Sequence, residues 1–74
     1  LSDDYMISEM APPNHFLGKT IAQLQLRSRY HIDVIAVRDI VSGRVQMVPG
    51  ADFVIKDGDI LVVVGREEDI GQVK

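Results

Sequence analysis

Residues 60–64 read Ile-Leu-Val-Val-Val, and this aliphatic run restricts the possible folds more than any other part of the chain. β-Branched side chains favour strands, and five residues are far too few to cross a bilayer as a helix. A Lys-Asp-Gly-Asp turn at residues 56–59 precedes the run, and Gly65 follows it. The pattern predicts the central strand of a β-sheet.

Three further strands are predicted from shorter patterns. Residues 5–11 form a first strand that ends at Pro12, because proline cannot donate a hydrogen bond to a strand ladder. Residues 32–40 and 44–48 flank a Ser-Gly turn at residues 42–43 and therefore predict a β-hairpin. Four consecutive apolar residues in the first hairpin strand are typical of a strand that is covered on both faces.

A helix is predicted at residues 18–25, where good helix formers accompany an apolar face. Either Gly18 or Thr20 can cap its start. The apolar face carries residues at positions i, i+4 and i+7, namely Leu17, Ile21 and Leu24.

A short C-terminal helix completes the prediction. The acidic residues 67–69 suit a helix N-terminus, and Ile70 and Val73 supply an apolar side. The expected order is β-α-β-β-β-α, an α+β fold with a mixed or antiparallel sheet. The length of 74 residues allows one domain, residues 1–74, and the missing initiator methionine suggests a piece of a longer protein.

The composition favours association with a second copy. The chain has no cysteine and only 5% aromatic residues, so its core is aliphatic and has no disulfide cross-links. A domain of this size buries only about 60–65% of its unfolded surface. We therefore expect a homodimer, paired through the outer side of the 18–25 helix and the segment 26–32.

The net charge of −3 is unevenly distributed along the chain. Residues 15–44 carry five Lys or Arg side chains against two Asp side chains. This basic middle is too weak for a nucleic-acid surface but suits one small anion. The acidic start lacks a signal-peptide core, and no apolar run approaches the roughly 20 residues of a membrane span. We expect neither a nucleic-acid partner nor direct insertion into a membrane.

The sequence contains no constellation typical of a catalytic or metal site. His15 and His31 lack the helical spacing of a ligand pair, and each is interpreted as a surface residue. Asp57 and Asp59 flank Gly58 and fit turn chemistry better than a cation site. No glycine-rich phosphate loop occurs. We therefore predict no enzyme activity, no metal and no cofactor for this domain.

Two interpretations of the segment between the first helix and the second strand remain open. In one, Ile21, Leu24 and Leu26 only pack the core, and Arg27 and Arg29 are solvated. In the other, part of this surface is an apolar patch beside which Arg27 receives an anion. Residue chemistry alone favours the first interpretation.

Two motifs, one in the first third of the chain and one in the last third, carry a family resemblance. Residues 16–21 read Phe-Leu-Gly-Lys-Thr-Ile, and residues 57–65 read Asp-Gly-Asp-Ile-Leu-Val-Val-Val-Gly. Between them lie Leu-Arg at residues 26–27, Val-Ile-Ala-Val-Arg at residues 34–38 and Pro49. With these motifs at these spacings, the sequence from about residue 2 to residue 72 resembles the TrkA-C domain, also called the RCK-C domain.

The resemblance implies a small α+β unit that pairs as a dimer and usually follows an N-terminal nucleotide-binding regulatory domain. Such domains sit on the cytosolic side of prokaryotic potassium uptake systems, channels and cation antiporters. Some of them bind cyclic di-AMP at the dimer interface. The implied function is a cytoplasmic regulatory domain of a potassium or other cation transporter, held at the cytosolic face of the membrane by its parent or partner.

The ligand site of those binders carries over to four residues of this chain. The resemblance implies that Ile21 and Ala22 supply apolar contacts to the base, that Leu26 lies under it, and that Arg27 meets the phosphate.

The chain departs from that pattern at two positions. Gln25 stands where the binders have an aspartate, and Asp33 stands where they have an asparagine. An ionised Asp33 accepts hydrogen bonds only, repels a phosphate, and can instead pair with Arg27 or Arg29. The alternative function is therefore a structural dimerisation module within a transporter subunit, without a ligand of its own.

Overall fold

The computed structural model describes residues 4–74, so the first residues of the predicted domain 1–74 lie outside the described part. A single 3-10 turn at Asn14–Phe16 precedes the first helix. The helices and strands are β1 Tyr5–Met10, α1 Ile21–Leu24, α2 Leu26–Tyr30, β2 Asp33–Asp39, β3 Val45–Met47, β4 Asp59–Arg66 and α3 Glu67–Gly71.

The four strands form one sheet in the order β1-β4-β2-β3, and every neighbouring pair is antiparallel. The predicted α+β fold is confirmed, with the antiparallel form of the sheet. Strand β4, predicted from the aliphatic run at residues 60–64, lies in the interior of the sheet between β1 and β2. The predicted hairpin is also confirmed, because β2 and β3 pair Ala36 with Met47 and Arg38 with Val45.

Strand β2 runs beside β4 along its whole length. Asp33 lies opposite Val64 at one end, and Asp39 lies opposite Asp59 at the other. Because a strand rises about 3.3 Å per residue, the two ends of β2 are about 20 Å apart. The charged side chains near Asp33 and those near Asp39 therefore belong to separate regions of the surface.

The first helix differs from the prediction of a single element at residues 18–25. It is shorter, and a second helix follows it directly. Gln25 separates α1 from α2 in the left-handed conformation, with φ of 48°. A left-handed residue interrupts a right-handed helix, so the chain turns at Gln25 and presents two short helices instead of one.

Thr20, rather than Gly18, caps α1. Its hydroxyl accepts the N–H of Gln23 at 3.0 Å, and the Gln23 side-chain oxygen accepts the N–H of Thr20 at 2.8 Å. This reciprocal capping box satisfies two N–H groups at the helix start. The N–H of Ala22 donates to the carbonyl of Ala51 at 2.9 Å, which attaches α1 to the segment after β3.

The core lies on one face of the sheet only. Its most deeply buried apolar side chains are Phe16, Ile55, Leu61 and Val63. On the opposite face, Ile7, Val45 and Met47 are each more than half exposed. These exposed side chains belong to the edge strands β1 and β3. In β2 no residue is exposed, and Ala36 and Val37, which point to opposite faces, are both buried. The burial of both agrees with the prediction that β2 is covered on both faces.

Candidate ligand-binding site

Helices α1 and α2 border a groove of about 420 Å³ together with the start of β2 and the segment that follows β3. We call it the α1–α2 groove. It is lined by residues 21, 22, 25–28, 32–34, 48, 49 and 51.

All four residues proposed from the sequence as ligand contacts line the α1–α2 groove. Leu26 is almost fully buried, so it belongs to the core and forms part of the floor. Ile21 is half-buried, and Ala22 is exposed. Arg27 extends into solvent. The groove thus combines an apolar surface with one cationic side chain, which is the arrangement that an anionic ligand with an apolar face requires.

Arg27 is engaged by Asp33. Its Nε donates to Oδ1 of Asp33 at 2.6 Å, and this pair selects Arg27 over Arg29 as the partner of Asp33. The hydrogen bond to Asp33 and the negative charge of Asp33 raise the pKa of Arg27. Both side chains are well exposed, so water screens the pair and its net contribution to stability is small.

Unusual backbone conformations cluster around the same groove. Gln25 and Val48 both line it with φ of 48°, and His31, with φ of 61°, directly precedes the lining residue Ile32. A β-branched residue such as Val48 is rare in this conformation, and residues held in sparsely populated conformations concentrate at ligand sites.

Val48, Pro49 and Ala51 also line the groove, although no ligand contact was predicted for them. The N–H of Val48 donates to the carbonyl of Ile35 at 2.9 Å, and the carbonyl of Ala51 accepts the N–H of Ala22. Pro49 was part of the family resemblance but received no role. The signal that was available is its position directly after a strand, where proline ends the ladder and the chain must turn.

A second and larger groove, of about 530 Å³, lies around Lys56, near the far end of β2. The Nζ of Lys56 donates to Asp39 at 2.8 Å and to Asp59 at 2.6 Å. Asp39 also accepts the N–H groups of Val41 and Ser42. These hydrogen bonds, of which the one from Lys56 has the largest effect, lower the pKa of Asp39 to about 2. None of the four residues that the family resemblance implies as ligand contacts lines this groove, so we do not assign a ligand to it.

The two histidines have different surroundings. Nε2 of His15 lies 3.0 Å from the backbone oxygen of Lys74, and His31 ends α2. Among residues 4–74, no cluster of three or more metal-ligating side chains is present. Over the same residues, no helix is long and apolar enough to cross a membrane.

The family model of the TrkA-C domain matches residues 5–74. The chain belongs to the TrkA-C domain family. The motifs at residues 16–21 and 57–65, from which the resemblance was predicted, lie inside the matched region, as does the whole α1–α2 groove.

Known relatives of this TrkA-C domain include the Ktr system potassium uptake protein A of Bacillus subtilis strain 168. The two are 30% identical over 70 residues, which is 95% of this chain and 31% of that protein. The Ktr system potassium uptake protein C of the same strain is 31% identical over 72 residues, which is 97% of this chain and 32% of that protein. The TrkA-C domain thus spans less than a third of either relative.

The fold is also close to a solved structure of the RCK C domain of the potassium transport protein KtrA in complex with cyclic di-AMP. Its TM-score is 0.83 at 26% identity, over 95% of this chain and 80% of that chain. An RCK_C domain dimer of S. agalactiae BusR in complex with cyclic di-AMP gives a TM-score of 0.77 at 25% identity, over 89% of this chain and 87% of that chain.

Proposed function

We propose that this TrkA-C domain is a cytoplasmic regulatory module of a potassium or other cation transport system and that it binds cyclic di-AMP between two copies of the chain. The observation that carries the proposal is that Ile21, Ala22, Leu26 and Arg27 line one groove. The Ktr relatives support the link to potassium uptake, and the KtrA domain complex supports the ligand.

Each part of the groove has a role in this binding mode. The apolar side chains of Ile21 and Ala22, above the buried Leu26, cover the face of an adenine base. Arg27 turns its guanidinium to a phosphate oxygen and forms charge-assisted hydrogen bonds, which are stronger than neutral ones. No residue is assigned a catalytic role.

A homodimer completes the proposed site. Cyclic di-AMP has two equivalent halves, so a two-fold interface presents the same residues to each half. Similarity to the BusR domain dimer supports this arrangement. Binding that favours one spacing of the two copies over another shifts the equilibrium of the attached transporter, which is how such a module regulates. Light scattering over a tenfold range of concentration tests the dimer, because a constant monomer mass of 8.2 kDa contradicts it.

The partners in this proposal belong to the parent system. They are an N-terminal nucleotide-binding regulatory domain and a membrane transporter or channel subunit, at whose cytosolic face the module sits. The short fraction of each Ktr relative that this chain covers leaves room for such an additional domain in those proteins.

Isothermal titration of the chain with cyclic di-AMP, at near-physiological salt, tests the ligand. We expect saturable heat and a stoichiometry of one ligand per two chains. Arg27→Ala should weaken binding by about 1.5–3 kcal/mol, the usual contribution of a charged hydrogen bond, while the dimer persists. Absence of heat at about 100 μM ligand contradicts the proposal, because any binding would then be too weak for a sensor.

One observation favours the second candidate, a structural dimerisation module without a ligand. Asp33 already occupies the guanidinium of Arg27 in the groove. If a dimer forms, and cyclic di-AMP neither releases heat nor changes the dimer dissociation constant, this candidate replaces the first.

A further inference from the structure

Asp33 places a negative charge beside Arg27, the residue that we propose binds the ligand phosphate. Its carboxylate lies 2.6 Å from Nε of Arg27, at the edge of the α1–α2 groove that both residues line. A carboxylate and a phosphate oxygen require the same guanidinium donors. Any anionic ligand that enters the groove therefore meets an arginine that is already paired.

The two partners differ in their freedom to move. Asp33 is the first residue of β2, and strand pairing opposite Val64 fixes its backbone. Arg27 has a long side chain that is 85% exposed, so it reorients at low cost. When Arg27 turns to a ligand, the carboxylate of Asp33 stays in the groove without its partner. The charge that was neutralised in the free protein then repels the phosphate.

We propose that Asp33 is an internal anion that competes with the ligand phosphate for Arg27 and thereby lowers the ligand affinity of the groove. The inference rests on the proposed function, because it takes the α1–α2 groove as the ligand site. The exchange involves one exposed ion pair and needs no rearrangement of the fold. The chain thus responds only at ligand concentrations high enough to displace Asp33.

The test compares Asp33→Asn, Arg27→Ala and the double variant with the unmodified chain, by isothermal titration with cyclic di-AMP. Asparagine keeps the size of the side chain and removes the charge. Asp57→Asn is the matched control, since it removes the same charge from an exposed turn near the other end of β2, about 20 Å away.

We expect Asp33→Asn to bind about five- to tenfold more tightly than the unmodified chain, given the size of a like-charge interaction at the protein surface. Asp57→Asn should bind as the unmodified chain does. In the Arg27→Ala background, Asp33→Asn should increase the affinity by a smaller factor. Competition for Arg27 is already absent there, so the substitution relieves only the repulsion between Asp33 and the phosphate. Equal or weaker binding by Asp33→Asn overturns the inference and leaves the proposed function intact.

A second readout separates the two ideas if cyclic di-AMP fails to bind. The Nε–H resonance of Arg27 is followed by NMR during titration with inorganic phosphate. If phosphate shifts this resonance at a lower concentration in Asp33→Asn than in the unmodified chain, the competition stands and the proposed ligand is wrong. If the resonance shifts at the same phosphate concentration in both proteins, the proposed competition is wrong as well.

Discussion

The buried carboxylate of Asp59 accepts two hydrogen bonds from the same residue, Lys56. One comes from the Lys56 backbone N–H at 2.9 Å and one from its Nζ at 2.6 Å. Asp59 is only 2% exposed, so its charge requires these partners. Lys56 also contacts Asp39, and the three side chains join the turn before β4 to the end of β2.

Asp59→Ala should therefore destabilise the protein. The substitution removes a charged hydrogen bond and leaves the backbone N–H of Lys56 without its acceptor, at a cost of about 1–3 kcal/mol. Urea unfolding followed by circular dichroism measures the change. Asp57→Ala, in the exposed part of the same turn, is the control and should change the free energy of unfolding by less than about 0.5 kcal/mol.

The pH dependence of stability should carry a contribution from Asp39. Its pKa is about 2 in the folded protein, below the ordinary value of 3.8, so the unfolded chain binds the proton more tightly. The stabilisation is fully present above about pH 4 and is lost as the pH falls through 2. Asp39→Asn should flatten this part of the profile of unfolding free energy against pH. An unchanged profile contradicts the role of the Lys56 contact.

Thr20 should be the decisive residue at the start of α1. Thr20→Ala removes the hydroxyl that accepts the N–H of Gln23, and we expect a loss of about 1 kcal/mol. Thr20→Ser keeps the hydroxyl and should retain most of the stability. If both variants unfold at the same urea concentration, the cap does not stabilise this helix.

Gly65 should tolerate no side chain, because β4 passes very close to Ile32 there. A Cβ atom at Gly65 would lie 2.8 Å from Cγ2 of Ile32 and 3.4 Å from the carbonyl oxygen of His31. Ile32 is buried and cannot move aside freely. We expect Gly65→Ala to cost about 1–3 kcal/mol, as overpacking does. Gly71→Ala is the control, because a Cβ there meets nothing within 4 Å. Gly71 lies in α3, where alanine is the better helix former, so this substitution should not lower the melting temperature.

The strands were predictable because their signals are local. Five aliphatic residues between a turn and Gly65 leave little choice except an interior strand, and the Ser-Gly pair at residues 42–43 sets the hairpin. The break at Gln25 was not predictable, since glutamine favours helices and residues other than glycine rarely adopt the left-handed conformation. The exposed apolar side chains of the edge strands, such as Ile7 and Met47, were not predicted, because the apolar residues of a strand do not reveal whether a second layer covers them.

The α1–α2 groove was predictable only in part. The resemblance supplied Ile21, Ala22, Leu26 and Arg27, and the structure brings these four together. Residue chemistry left open which arginine pairs with Asp33, because both lie within reach in sequence. His31 lies between these arginines and Asp33 and is left-handed, with φ of 61°, a conformation that no local motif predicts.

The most direct test of the account is a map of backbone amide chemical shifts on addition of cyclic di-AMP, recorded by two-dimensional ¹H–¹⁵N NMR. We predict that the largest shifts fall on the α1–α2 groove, at Ile21, Ala22, Arg27, Asp33 and Ala51. The amides of Asp39 and Lys56, at the second groove, should change little. Shifts centred on Lys56, or none anywhere at saturating ligand, contradict the claim that this groove is the ligand site.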